Sequence, residues 1–586
     1  MQKKLRRGLP LQLLVYIYVY VYICIYKYNF SLDTGKKYSK RFKAHGLSPK
    51  SAREQMIEER NISIAAYFQE QYGIKLKYPD LPCVKTKANR EEYMPMELLQ
   101  ILPFQPPKAD VGPIASEMVR IAAVKPEQRF RKLQSFIRTV IKQSPLVKAM
   151  GLKLTSQDPV VADARILPTP NITGSGAPVT RGAWVPTRFR VPAFMEVKYA
   201  IVHFVRAFSG LDKAKRDISQ AGQQLGLRLV FEEERKTIQI AGLSNYFKQL
   251  REKDVKLAIC ILPKTGPYSD IKRACELEQF LVTQCVKEST LIKSNPWPNI
   301  LLKINGKLGG VNWELTGIEK HWGKEIVMIV GADVTHPGPV KTNALKKSVA
   351  AVVGSISSNY MKYVAVVRQQ DYEINEETHT AREHIDDMEG IFEQLLEEFY
   401  RKNNTLPSKI LFYRDGVSEG QFSIVVKIEL TAMQRACTKL RPGYQPGFTF
   451  IIVQKRHHIR FLPTGVGLNN VIPGTIIDTD ITHNSEFDFY LCSHQGIQGT
   501  SKPAHYHIIY DDNNLGANEL QLFTFYLCHA YMRCTRSVSY PAPTYYAHLA
   551  AFRGRDWMKG APNPEGLLEN NQFKILPEQR DLMFFL

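Results

Sequence analysis

Apolar and polar positions along this chain follow two periods, and the period assigns most of the elements. Short continuous apolar runs read as buried strands: DVKLAICIL (254–262), EIVMIV (325–330), SVAAVV (348–353), YVAVV (363–367), KILFYR (409–414) and FTFIIV (448–453). Helical spacing predicts helices over 61–72, 126–144, 269–286, 299–308 and 384–402. In 269–286 the apolar set is Ile271, Ala274, Cys275, Leu277, Leu281 and Val282. Lys75 to Pro79 reads as a short strand that stops at its proline. The N-terminus differs from all of this. Val15 to Tyr26 alternates strictly, Val or Ile on odd positions and Tyr or Cys on even ones, after a basic start from Met1 to Arg7. Leu9 to Tyr26 is long enough for a marginal membrane span or a signal-like segment, but a membrane helix has no use for a period of two. A translated dinucleotide repeat explains the segment better, so residues 1–30 are expected to be non-native and no membrane partner is expected.

Two of the strands end in aspartate. Asp333 follows the 325–330 run and Asp415 closes the 409–414 run, the position where α/β enzymes place chemistry. The order is strand to Asp333, strand 348–353, strand 363–367, helix 384–402, strand to Asp415. It is the βββαβ opening of an RNase H-like fold, in which the first and fourth strands are neighbours. Two carboxylates brought together in this way suit a hard divalent cation, Mg²⁺ or Mn²⁺.

Charge narrows the partner class. Lys+Arg 78 against Asp+Glu 56 leaves +22, an excess that attracts polyanions. The nine cysteines show no CxxC pair and read as reduced core thiols. The His457–His458 pair has no cysteine pair beside it and is a poor zinc motif. A turn, Pro263 to Pro267, joins the strand 254–262 to the helix predicted from Ser269, and a helix N-terminus after such a turn favours phosphate. Lys303 and Lys307, four apart, share a face of the next helix.

Five words then occur in one order: GADVTHP (331–337), YRDGVSEGQF (413–422), QKRHH (454–458), SHQGIQGTSKPAHYH (493–507) and CTRSVSYPAPTYYAHL (534–549). Together they resemble the PIWI domain of eukaryotic Argonaute proteins, with wording that looks animal and arthropod-like. With less specific matches upstream, the resemblance implies an α/β multidomain chain. An RNase H-like PIWI domain would span 321–586, a Rossmann-like MID domain 191–320, a second linker 101–190, and the C-terminal part of a PAZ β-barrel 31–100. The first half of PAZ and the family's N-terminal domain have no counterpart, so truncation is expected.

The resemblance also implies roles. Asp333, Asp415 and His548 match metal ligands of a small-RNA-guided RNA endonuclease that uses two Mg²⁺ or Mn²⁺ ions. Counting back from Asp415 puts the fourth ligand on Glu383, with Glu376 and Glu377 as alternatives in a carboxylate-rich stretch. Tyr268, Lys272, Gln284, Lys303, Lys307 and Arg553 match the grip on a guide 5′-phosphate, Gln284 standing near the end of its predicted helix. Lys455, Arg456, Arg533, Arg536 and Ser539 match contacts to the guide backbone, and Tyr38, Tyr67 and Tyr72 aromatic positions around the guide 3′ end. The implied partners are a small guide RNA (siRNA or microRNA), a target mRNA, Dicer and silencing scaffold proteins, in the cytoplasm and also the nucleus. Two other outcomes stay open: a guide-binding silencing module that recruits partners without cutting, and a non-functional truncated product.

Overall fold

The computed structural model describes residues 29–32, 40–102, 114–154, 156, 158–205, 208, 210–236, 238–293, 295–318, 321–337, 347–374, 381–464 and 469–586. The alternating segment up to residue 28, Tyr38, Glu376 and Glu377 lie outside them. The chain divides into two units, Met1–Ala123 and Val124–Leu586. Among the described residues no helix is long and apolar enough to cross a membrane.

The first unit holds two small antiparallel sheets. One pairs Asn29–Leu32 with Lys40–Lys43 and Leu99–Ile101, and the other pairs Gly46–Ser51, Pro82–Lys85 and Tyr93–Pro95. A helix, Ile64–Tyr72, packs Ile64 and Phe68 into a core with Ala52, Leu76 and Cys83. The Ser63 side chain caps it by accepting from the Ala66 N–H. The strand expected at Lys75–Pro79 does not form. The Glu97 carboxylate takes the Lys77 and Tyr78 N–H groups at 2.8 and 2.5 Å, donors that a strand ladder would need.

In the second unit, β1 (Glu196–His203), β2 (Arg228–Lys236), β3 (Leu257–Leu262) and β4 (Val282–Lys287) form a parallel sheet in the order β2-β1-β3-β4. Helix α1 (Leu211–Leu225) covers one face and α2 (Leu243–Glu252) the other, so β3 is apolar at every position. The helix expected over 269–286 is a correction. It is helical only as α3 (Tyr268–Arg273), widens into a looser turn at Ala274–Glu278, and is followed by β4. Val282, Thr283 and Val286 are β-branched, and they pair with β3 instead of continuing a helix. Helix α4 (Trp297–Lys307) lies close to its predicted bounds.

The second sheet is built on β5 (Val327–Thr335), β6 (Lys347–Ser355), β7 (Tyr363–Asp371), helix α5 (Met388–Asn403) and β8 (Lys409–Asp415). Then follow helix α6 (Thr431–Leu440), β9 (Gly447–Gln454), β10 (Thr475–Ile477), β11 (Phe487–Cys492), β12 (Ala504–Asp511) and helix α7 (Ala542–Met558). The hydrogen-bonded order is β7-β6-β5-β8-β9-β12-β11-β10, extended at its ends by 568–573 and 165–166. The expected βββαβ order is present, with β5 antiparallel to β6 and parallel to β8. The strand period of two sorts β5 between two cores. Met328, Val330, Ala332 and Val334 pack with Leu395 of α5 and Met433 of α6, while Val327 and Ile329 face the core that holds Ala547 and Ala551 of α7.

Candidate active site and anion pocket

That alternation fixes where Asp333 points. It belongs with Val327, Ile329 and Gly331 on the α7 side of the sheet. Asp415 shares a face with Leu411 and Tyr413, which belong to the same core. Because Ala332 pairs with Arg414 in parallel register, the next residues, Asp333 and Asp415, are neighbours. Gly331 lets α7 come close: a Cβ there would meet the Pro543 carbonyl carbon and oxygen at 2.3 Å. One and a half turns along α7, His548 Nδ1 lies 2.7 Å from Asp333 Oδ2.

Glu383 enters from the segment between β7 and α5, which is pinned on several sides. Gln370 Nε2 donates to the His384 carbonyl at 2.9 Å, and the Ile385 N–H donates to Glu429 Oε1 at 2.9 Å. Arg414, wholly buried, pairs with Glu429 at 3.1 Å and donates to the carbonyls of Glu383 and Asp415. Gly416, at φ +87°, turns the chain away beneath the carboxylates. A Cβ at Gly416 would stand 3.7 Å from Asp333 Oδ1 and 3.8 Å from Glu383 Oε2, so both oxygens converge above that glycine. Asp333, Glu383, Asp415 and His548 are therefore brought together from four separate elements.

Nitrogen groups attend each carboxylate. His548 faces Asp333, Lys455 Nζ contacts Asp415 Oδ2, and His336 Nε2 lies 3.1 Å from Glu383 Oε1. Burial, together with the neighbouring Asp333, pushes the Asp415 carboxyl up to about 6 against the opposing pull of Lys455 and His548. A group of hard oxygens whose charges disfavour one another fits divalent cations, and the imidazole adds one borderline donor. Sequence reasoning missed His336 and Glu429. His336 sits in the GADVTHP word itself, and Glu429 carries no local signal.

Lys455 Nζ also stands 3.9 Å from the ring centroid of Tyr540, which stacks on Tyr545 at 3.7 Å. Ser539 Oγ lies 2.9 Å from Tyr545 OH. Arg456 and Arg536 are exposed, whereas half-buried Arg533 lies near Lys303 and helps depress its pKa. In the first unit, the Tyr67 and Tyr72 rings are 6.1 Å apart, edge to face.

The second constellation lies among α3, β4, α4 and α7. Lys272, 1% exposed, donates to Thr283 Oγ1 at 2.8 Å and to the Thr283 carbonyl at 3.1 Å. Lys307 donates to the same carbonyl at 3.1 Å and to Gln284 Oε1 at 2.9 Å. Arg553 donates to Tyr268 OH at 3.3 Å and pairs with buried Glu276, which also accepts from Trp557 Nε1 at 2.9 Å. Two predicted positions are corrected here. Gln284 is a strand residue and not the end of a helix, and Lys272, which a helix starting at Ser269 would put in the first turn, stands at the end of α3. Lys307 is the last residue of α4. With α3 only 6 residues long, the side chains supply the pocket's charge.

Glu276, also missed by sequence reasoning, sits four residues after Lys272, and the pair are 3.3 Å apart. Burial is the largest influence on the Lys272 ammonium and works against it, but Glu276, with Cys275 and Cys285 beside it, leaves the pKa raised. Burial, with Lys272 and Arg553 adding repulsion, drives Lys307 well below its ordinary value. Burial and Arg533 lower Lys303 to about 8. Glu276 and Asp556 offset the charge of Lys272 and Arg553, and an incoming dianion would favour the charged form of Lys307.

The family model of the Piwi domain matches residues 257–559, and that of the PAZ domain matches residues 23–112. Among solved structures, the chain is similar to Kluyveromyces polysporus Argonaute with a guide RNA at 23% identity. That match has a TM-score of 0.75 and covers 96% of this chain and 67% of that one. It is similar to Drosophila Piwi at 19% identity and a TM-score of 0.65, over 98% of this chain and 76% of that one. The C-terminal lobe of a budding yeast Argonaute matches at 25% identity and a TM-score of 0.63, over 72% of this chain and 95% of that one.

Proposed function

The chain belongs to the Argonaute family, and we propose that it is a small-RNA-guided RNA endonuclease that cuts target RNA by metal-dependent phosphodiester hydrolysis. The observation that carries this reading is the convergence of Asp333, Glu383, Asp415 and His548 at the ends of β5 and β8. Two Mg²⁺ or Mn²⁺ ions held by these four residues would supply an activated water and would stabilise the leaving oxygen. Arg414 and Glu429 fix the Glu383 segment, and the α7 contact at Gly331 fixes His548 against Asp333. The products would carry 3′-hydroxyl and 5′-phosphate ends.

Binding is the task of the second constellation. Lys272, Lys307, Gln284 and Arg553 surround a place for a 5′-phosphate, with Tyr268 available to stack on the terminal base and Lys303 adding charge one turn away. The net charge of +22 supports a nucleic-acid partner along the rest of the channel. Target choice would come from guide pairing, and the protein would read backbone and A-form shape. Dicer, scaffold proteins and a cytoplasmic location belong to the same proposal.

One observation favours a second reading. Lys455 on Asp415 is an internal cation where the cutting reaction needs a metal, which suits a guide-binding module that represses without cutting. The test is incubation of the guide-loaded chain with a fully paired RNA in Mg²⁺. A single cut that disappears in Asp415→Ala, with guide binding retained, supports the endonuclease. Binding of guide and target without any cut replaces it with the silencing module.

A further inference from the structure

A second cluster of metal-type donors lies away from the four residues above, on β11 and β12. Asp488 of β11 is paired in register with His507 of β12, and Tyr490 with His505. The period of two puts His505 and His507 on one face of the sheet, opposite Asp488. His483 reaches the same place from the loop before β11. Asp488 Oδ2 is 2.6 Å from His505 Nε2 and 3.3 Å from His483 Nδ1, and His507 Nε2 is 3.1 Å from His505 Nδ1. One ligand atom from each of the four lies within 4.8 Å of all the others.

The surroundings argue for a cation. The Asp488 side chain is fully buried, and among the described residues no lysine or arginine pairs with it. A buried carboxylate needs a compensating charge. Among the described residues only imidazoles are near enough to give it, and two imidazolium rings with nitrogens 3.1 Å apart would repel. His507 Nδ1 is buried and has no hydrogen-bond partner among the described residues; a carboxylate oxygen of Glu486 is 3.9 Å away. The scaffold is firm: the Asp488 carboxylate accepts from the His483 N–H at 2.9 Å, and Tyr490 stacks on the His505 ring at 3.9 Å.

We propose that His483, Asp488, His505 and His507 form a structural zinc site. Three imidazole nitrogens and one carboxylate oxygen match the borderline-soft, four-coordinate preference of Zn²⁺, and a closed set of four protein ligands is the structural type. Zinc bonds near 2.0–2.1 Å put tetrahedral ligand atoms about 3.3 Å apart, so the 2.6 Å Asp488–His505 contact would open and the wider separations in the cluster would close around the ion. His483, with its side chain 42% exposed, is the ligand with room to move and marks the route of entry. The ion would fasten its loop to the β11–β12 hairpin. His507 lies 5.1 Å, ring to ring, from Phe422 in the segment that leaves Asp415, so the clip would brace the wall behind the carboxylate site.

The test uses the full chain, purified without an affinity histidine tag, in an Asp333→Ala/Asp415→Ala background that disables the other metal site. One equivalent of zinc should copurify. After its removal, Co²⁺ should give the visible absorption bands of four-coordinate cobalt at one equivalent. His483→Ala changes an accessible side chain and should lower the affinity by more than the roughly 10–100-fold that losses around a metal's ligands cost. Chelation should lower the melting temperature of the parent but not of His483→Ala. A folded chain, judged by circular dichroism, that neither retains zinc nor gives the cobalt spectrum overturns the site. So does metal uptake that His483→Ala leaves unchanged. RNA cleavage in Mg²⁺ is measured separately, so either proposal can fail alone.

Discussion

Asp415→Asn keeps the shape of the carboxylate and removes its charge, and the structure predicts that this stabilises the fold in the presence of a chelator. Asp415 is 4% exposed, and burial beside Asp333 raises its carboxyl from an ordinary 3.8 to about 6. The folded chain therefore holds a proton that the unfolded chain has released between those two values. Stability falls as pH rises through this window, and the full penalty is present above about 6. Two units at about 1.36 kcal/mol each make the penalty on the order of 3 kcal/mol. Asparagine escapes it, and Lys455, its side chain 28% exposed, can turn toward water. In a chelating buffer at pH 7.5 the variant should melt a few degrees above the parent. The gap should shrink at pH 5, and millimolar Mg²⁺ or Mn²⁺ should reverse it by stabilising only the parent. Asp333→Asn should share the gain without adding fully to it, because the repulsion is common to both residues. A variant that melts at or below the parent at pH 7.5, or a gap that ignores pH, would refute the reasoning.

The other expectations concern the anion pocket and the sheet–helix contact. Replacing Lys272 and Lys307 together with Ala should weaken a 5′-phosphorylated guide by roughly 1.5–3 kcal/mol per contact and a 5′-hydroxyl guide far less, as read by filter binding; equal losses would remove the assignment. Lys303, at about 8, loses its charge as pH rises through that value, so affinity for the phosphorylated guide should fall between pH 7 and 9. Lys303→Ala should flatten the part of that profile around pH 8. Gly331→Ala places a Cβ 2.3 Å from the Pro543 backbone and should destabilise by at least the 1–3 kcal/mol of ordinary overpacking. Gly420→Ala, with nothing within 4 Å, is the control that should melt like the parent.

What the sequence discloses about this protein follows how local each determinant is. The apolar runs ending in Asp333 and Asp415 carry their own period, and their order is enough to make the strands neighbours. The 269–286 stretch misleads because Ile271, Ala274, Cys275 and Leu277 are helically spaced and no glycine or proline marks the end. What ends it is long-range: Glu276 is drawn to Arg553 and Trp557 on α7, and Val282 to Val286 pair with β3. Lys75 to Pro79 fails for a similar reason, since Glu97, from a later turn, takes its backbone donors. Glu429 supports the Glu383 segment through a buried bond from the Ile385 N–H, 44 residues away, and no spacing rule reaches that far.

The two constellations handle charge in opposite senses, and that contrast explains why both are destabilised by design of their own residues. At the sheet ends, burial and the neighbouring Asp333 carboxylate hold Asp415 toward its protonated form. In the pocket, burial and the neighbouring cations Lys272 and Arg553 hold Lys307 toward its neutral form. Each site is thus strained in the direction that its proposed ligand would relieve, divalent cations in one case and a phosphate dianion in the other. Glu276 and Lys455 are the internal counter-charges that limit the strain. They are not equivalent. Glu276 is wholly buried between Lys272, Arg553 and Trp557, so it stays in place when a phosphate arrives and sets how much positive charge is left for it. Lys455 reaches Asp415 from the end of β9 and is partly exposed, so metal ions can displace it. The pocket is therefore built to keep its partner charge, and the carboxylate site to exchange one.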